Sequence, residues 1–191
     1  MTQFGRLWII PPEPATRRID LWRSRYDAGY RLAKPHITLG SKLENGRWSH
    51  IRPGLARVLT HVSPFEISLS RACPSKRNTP TLWLELSDPT LVAHIQDLLE
   101  RDLRAFTTPE PDFVPHVSIG WFGREEGREA AKESVEADLT ELGAIHFRVD
   151  ALAYVYPDED EIWQTVDIIS LDLQRRNREL NGDPPDASRS R

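Results

Sequence analysis

Two imidazoles recur in this chain, each followed two residues later by a hydroxyl, inside the same six-residue frame. The frames are Pro35-His36-Ile37-Thr38-Leu39-Gly40 and Pro115-His116-Val117-Ser118-Ile119-Gly120. Each reads Pro, His, β-branched apolar, hydroxyl, apolar, Gly. On a strand, successive side chains alternate between faces. His36 with Thr38, and His116 with Ser118, therefore share a face, and Ile37, Leu39, Val117 and Ile119 take the opposite one. Imidazole and hydroxyl then stand about 6–7 Å apart along each strand. Two such strands facing one space supply an acid, a base and two neutral donors, which is a set suited to a phosphate ester. The chain's own composition predicts roughly 0.0005 chance occurrences of the frame, against the two found. His61-Val62-Ser63 also contains His-x-Ser, but Pro64 follows and a helical pattern precedes it. It reads as a decoy.

Hydrolysing a phosphate ester takes a base to remove a proton from water and an acid to protonate the departing alkoxide. Imidazole, with an unperturbed pKa near 6.5, does either at neutral pH. Thr38 and Ser118 can donate to the non-bridging oxygens, where charge accumulates; such donors contribute about 2–4 kcal/mol in other enzymes. No cofactor is called for. A zinc site built on His36 and His116 needs a third protein ligand, and no local spacing supplies one. The single cysteine, Cys73, excludes an internal disulfide and a cysteine-based zinc cluster, and has no nucleophile signature around it. Which histidine is base and which is acid depends on how the substrate lies, and stays open at this point.

The paired His-x-Thr/Ser strands resemble the 2H phosphoesterase superfamily, which includes the 2′-5′ RNA ligase-like proteins and the cyclic nucleotide phosphodiesterases. Leu7-Trp8-Ile9-Ile10-Pro11-Pro12-Glu13 is similar to the first strand of the plant- and fungal-type cyclic phosphodiesterases. The resemblance spans about residues 4–171 in element order. It implies an α+β fold: a bilobal, duplicated domain with two antiparallel sheets facing a central cleft and helices outside. It implies metal-independent opening of the 2′,3′-cyclic phosphates of nucleotides or RNA ends, or of ADP-ribose 1″,2″-cyclic phosphate, to the 2′-phosphate. By the same resemblance Trp8 and Trp121 would flank the nucleobase, with stacking worth about 1–3 kcal/mol per base. On an ideal strand Trp121 has the wrong parity for the His116 face, so a bend at Gly120 is required. Trp22 and Trp83 read as packing, and Tyr154, Tyr156 and Trp163 receive no role. The alternatives are a phosphodiesterase of 2′-5′-linked or cyclic oligonucleotides and, from another class, a non-catalytic binder of RNA ends or nucleotides. Two titratable groups favour chemistry over binding alone.

The elements that must position these groups fall into a duplicated order. Residues 4–10 alternate as a strand, a helix follows over 14–29, and the first His strand occupies 34–39. A helix over 51–62 and a strand over 65–69 complete the first half, and 73–80 reads as a loop. In the second half come a strand at 82–86, a helix from Asp88-Pro89 to about Leu103, and the second His strand at 113–122. A helix over 125–142 closed by Gly143 and strands at 145–156 and 162–171 end the fold. Shifting the first half by 80 residues lays His36 on His116, helix 51–62 on 131–142, and strand 65–71 on 145–151. A single domain over 1–174 is expected, with 175–191 as a disordered tail.

Composition agrees with one domain of 191 residues, 39% hydrophobic and 28% charged. Residues 1–80 carry 14 Lys and Arg against 5 Asp and Glu, and the remainder carries 11 against 24. The basic half holds His36 with Arg31, Lys34 and Lys42 around it, a field that concentrates a phosphorylated ligand. The acidic half argues against a long nucleic-acid track. A small nucleotide or an RNA terminus fits as partner, with the protein a monomer. No apolar run approaches a membrane span and the N-terminus lacks a signal-peptide pattern, so a cytoplasmic location is expected.

Overall fold

The computed structural model describes residues 4–44, 46–75, 79–104, 106–108 and 112–172. The expected tail at 175–191, and part of the expected loop at 73–80, lie outside the described residues. In chain order the elements are β1 (Phe4–Ile9), α1 (Glu13–Tyr26), β2 (Ile37–Glu44), α2 (Trp48–Val58), a 3₁₀ turn (Leu59–His61), β3 (Phe65–Pro74) and β4 (Thr81–Leu86). There follow α3 (Thr90–Asp102), β5 (Thr107–Thr108), β6 (His116–Trp121), α4 (Glu125–Leu142), β7 (Ile145–Val149), β8 (Ala151–Pro157) and β9 (Trp163–Ser170).

Local chemistry sets several boundaries. Pro11 and Pro12 withdraw ladder donors and end β1, while Pro14 is tolerated in the first turn of α1, where its missing N–H costs nothing. Gly143, at φ 79°, closes α4 as the sequence suggests. The Asp88 carboxylate accepts the Thr90 N–H at 2.9 Å where α3 begins.

The strands order as β7-β3-β4-β6-β2-β1-β8-β9, with β5 on β2 and every pairing antiparallel. The two lobes expected from the duplication are thus two halves of one sheet, β7-β3-β4-β6 and β2-β1-β8-β9 with β5 added to β2. They meet at a single register pair, Ile37 opposite Val117, both fully buried. Helices cover one face: α1 packs on β6 and β7, α4 on β3 and β4, and α3 on β2 and α2. The core on that face is continuous, running from Leu7, Ile9 and Leu39 through Val117 and Ile119 to Leu82 and Leu84.

Two expectations are corrected here. The strand read as one run over 145–156 is two, broken at the exposed Asp150. Hydropathy alone misses the break because both pieces are apolar, yet β7 pairs with β3 and β8 with β1. The 80-residue repeat therefore stops short of the third strand: β3 and β7 overlay in sequence but lie side by side in space. One residue spans at most about 7 Å between its neighbours' Cα atoms. In a flat sheet the six strand spacings from β7 to β8 would cover about 29 Å. The sheet must curl, and it forms a half-barrel.

Candidate functional site

The face opposite the helices carries a cleft of about 470 Å³ whose lining includes His36, Thr38, His116 and Ser118. The strand period puts them there. Within the two frames Pro35, Ile37 and Leu39, and Pro115, Val117 and Ile119, are buried, and the His and hydroxyl positions between them are not.

Each imidazole is held at two points. His36 Nδ1 lies 2.7 Å from the Lys34 carbonyl oxygen, and His116 Nδ1 lies 2.7 Å from the Val114 carbonyl oxygen. A carbonyl only accepts, so Nδ1 carries the hydrogen in both rings and proton exchange with a ligand falls to Nε2. Each ring also lies flat on an indole. Trp8 stacks on His36 at 3.6 Å between centroids and 6° between planes, and Trp83 stacks on His116 at 3.8 Å and 14°. The loop entering the first frame is tied to α1 by Arg23, a buried guanidinium between Asp20 and Asp27 that donates to the Ala33 carbonyl at 2.8 Å.

Electrostatics fix the charge state of His36. Desolvation of the half-buried ring, joined by the positive charges of Arg23, His116 and Arg6, pushes its pKa down to about 4, against a partial lift from its bond to the Lys34 carbonyl. His36 is therefore neutral through the physiological range. Between pH 6.5 and 4 the unfolded chain protonates this residue and the folded chain resists. Its contribution to stability is present above pH 6.5 and lost as pH falls towards 4, by about 2–3 kcal/mol. In urea titrations at pH 7 and 4.5, wild type should lose that much more stability than His36→Gln. Parallel losses would refute it.

Trp121 reaches the cleft by a bulge. In the β4–β6 register Trp83 faces Ser118 and Leu82 faces Gly120, which leaves Ile119 without a counterpart. Parity reverses there, Gly120 is buried, and Trp121 emerges on the cleft side, 64% exposed. Trp8 also lines the cleft but is only 3% exposed, covered by His36 on one side and near Trp163 at 5.0 Å. It has no open face for a nucleobase, which corrects the expectation of a Trp8 platform. Trp22 packs as expected, donating to Asp138 at 2.6 Å. Trp83 is buried too, but under His116 at the cleft rather than in the helix-side core.

Among the cleft residues that sequence reasoning passed over are Trp83, Trp163 and Arg6, the last a fixed cation near His36. A signal for Trp83 was present. Leu7-Trp8-Ile9 and Leu82-Trp83-Leu84 place a tryptophan between two apolar residues on the strand preceding each His frame. His50, His61, His94 and His146 are exposed and absent from the cleft. His61 and His94 line a separate hollow of about 960 Å³ with the exposed Arg57, Arg101 and Asp102. Among the described residues no group of three or more His, Cys, Asp and Glu could hold a metal ion. No described helix is long and apolar enough to cross a membrane.

Known proteins resemble this chain in fold and in sequence. The fold matches LigT of E. coli crystallised with 3′-AMP, at TM-score 0.59 and 14% identity over 89% of this chain and 98% of that one. It also matches TT0787 of Thermus thermophilus, at TM-score 0.62 and 11% identity over 88% and 97%. A Geobacillus thermodenitrificans protein named, by inference, as a phosphoesterase is 26% identical over 150 residues, 76% of this chain and 83% of the relative. A family profile, that of the 2′-5′ RNA ligase superfamily, matches residues 11–161 and so contains both His frames. With that match over most of its length and the half-barrel fold in common, the chain belongs to the 2′-5′ RNA ligase superfamily, the 2H phosphoesterases.

Proposed function

We propose that this protein is a metal-independent phosphoesterase that opens 2′,3′-cyclic phosphates of nucleotides or RNA ends to the 2′-phosphate, with ADP-ribose 1″,2″-cyclic phosphate as a related substrate. The observation that carries this reading is the pair of imidazoles in one cleft, each pinned through Nδ1 so that Nε2 does the proton transfer. His36, held neutral, is the base that takes a proton from water. The water oxygen bonds to phosphorus, the P–O3′ bond breaks, and His116 delivers its proton to the departing O3′. Thr38 and Ser118 donate to the non-bridging oxygens, and Arg6 supplies a fixed positive charge to the anion. Trp121, exposed at the rim, offers a face to the base.

A second substrate class has an observation of its own. Trp121 and Trp163 both line the cleft, one from β6 and the other from β9, so an aromatic is available in each half. That favours an ester with a planar group on both sides of phosphorus, as in a 2′-5′-linked dinucleotide. The crystallisation of LigT with 3′-AMP is consistent with a nucleotide-sized ligand.

The test is incubation with 2′,3′-cyclic nucleotides and a 2′-5′ dinucleotide, with and without EDTA, with products identified by phosphorus NMR. Turnover to the 2′-monophosphate, unchanged by chelator and equal in His61→Ala, is the expected result, because His61 faces a different hollow. Strong inhibition by EDTA, restored by zinc or manganese, would overturn the metal-free mechanism. Binding without turnover of either ester would make the protein a nucleotide or RNA-end binder.

A further inference from the structure

We propose that Trp8 and Trp83 are positioning residues: each indole sets the plane of one imidazole and thereby the place of its Nε2. The proposal rests on the reading of His36 and His116 as base and acid, and adds two residues that touch neither water nor phosphorus.

The need for such a device follows from histidine's torsions. The χ2 angle of an imidazole is a broad, roughly two-fold torsion, so its rotamer alone leaves the ring plane loose. The Nδ1 bond to the carbonyl two residues back ties down one atom of each ring. A ring held at one atom still tilts about it, and Nε2, on the far side, moves most. A flat partner beneath the ring removes that freedom. Here the partners are nearly coplanar with the imidazoles, 6° in one half and 14° in the other.

The register shows why an indole can do this. Trp8 lies opposite Thr38 and Trp83 opposite Ser118, so each tryptophan is the diagonal cross-strand neighbour of the histidine two residues before the hydroxyl. A diagonal neighbour is within reach of an aromatic side chain and beyond that of a short one. Both indoles are 3% exposed, so each ring is itself held by its surroundings, Trp8 by Ala153 and Val155 among others. The Trp8 Nε1 is buried with no hydrogen-bond partner among the described residues. An orphaned donor is unfavourable, and phenylalanine would fill a sheet face without it. The ring is present for its breadth and flatness, and the same solution stands in both halves of the chain.

The experiment compares Trp83→Leu with Trp83→Phe. Leucine removes the plane and phenylalanine keeps one. With a 2′,3′-cyclic nucleotide as substrate, Trp83→Leu should lower kcat at least about tenfold with KM within about twofold, since small misplacements of a reacting group are costly. Trp83→Phe should retain most of kcat. In the free protein, the His116 ring protons, shielded by the indole face, should move downfield in Trp83→Leu. If the leucine variant does not fold, Trp83→Met, an unbranched filler without a plane, takes its place. Trp8→Leu should act the same way through His36. A leucine or methionine variant with wild-type kcat overturns the proposal, and so does a rise in KM alone, which would make Trp83 a substrate platform. Unshifted His116 protons would mean that the stack does not exist in solution. Failure of the acid–base reading is a separate result: His116→Ala would then turn over normally, whatever the ring protons report.

Discussion

His36→Ala and His116→Ala are each expected to lower kcat on 2′,3′-cyclic nucleotides by at least about 10²-fold, the lower end for general acid–base catalysis. KM should change little, because proton transfer is an interaction of the transition state and not of the bound ester. The double variant should lose less than the product of the two single losses, since base and acid act on one event and removing either leaves the other little to do. The pH dependence of kcat/KM reports groups in the free enzyme, so its acid limb should sit well below 6.5, where the desolvated His36 titrates. An acid limb near 6.5 would mean that His36 is not the base. Wild-type turnover by either alanine variant, in a preparation free of contaminating nuclease, would end the paired-histidine mechanism.

The second large effect falls on stability. Gly120 ends the second His frame, and its reason is spatial. A Cβ built there would lie 2.4 Å from the Tyr26 carbonyl oxygen and 2.8 Å from its carbon. Those are backbone atoms at the end of α1 and cannot swing aside as a side chain would. Gly120→Ala must therefore separate α1 from β6, and overpacking of this kind costs about 1–3 kcal/mol or more. Because the bulge beside Gly120 aims Trp121, the same variant should also raise KM for a nucleotide while leaving kcat nearer wild type. Chemical denaturation and steady-state kinetics read the two effects. An alanine variant as stable as wild type would show that α1 does not pack as closely on this strand as described.

Much of this was legible in one dimension because alternation is a local property. A strand with His and hydroxyl at i and i+2 must put both on one face whatever surrounds it. Burial of Ile37, Leu39, Val117 and Ile119 then dictates which face is left for the cleft. The ends of α4 were legible for the same reason, Gly143 above all, whereas the helices expected over 14–29 and 51–62 run over Glu13–Tyr26 and Trp48–Val58. The family resemblance came through these short frames, and the profile match over residues 11–161 contains both of them.

What the tertiary structure decided is what depends on partners far along the chain. The break at Asp150 is invisible to hydropathy, since residues on both sides are apolar and only their pairing, one with β3 and the other with β1, separates them. Trp121 is turned into the cleft by an unmatched residue opposite a strand some 40 positions earlier. Trp8 and Trp83 look like a base platform and a core residue, respectively, until the register sets each diagonally beneath a histidine. The charge state of His36 has the same origin. Nothing in its six-residue frame announces a pKa pushed to about 4; desolvation does that, with Arg23, His116 and Arg6, which the fold brings from α1, β6 and β1. Residue types and their period determined which groups could do chemistry. Pairing between distant strands decided which of them are held, covered or charged.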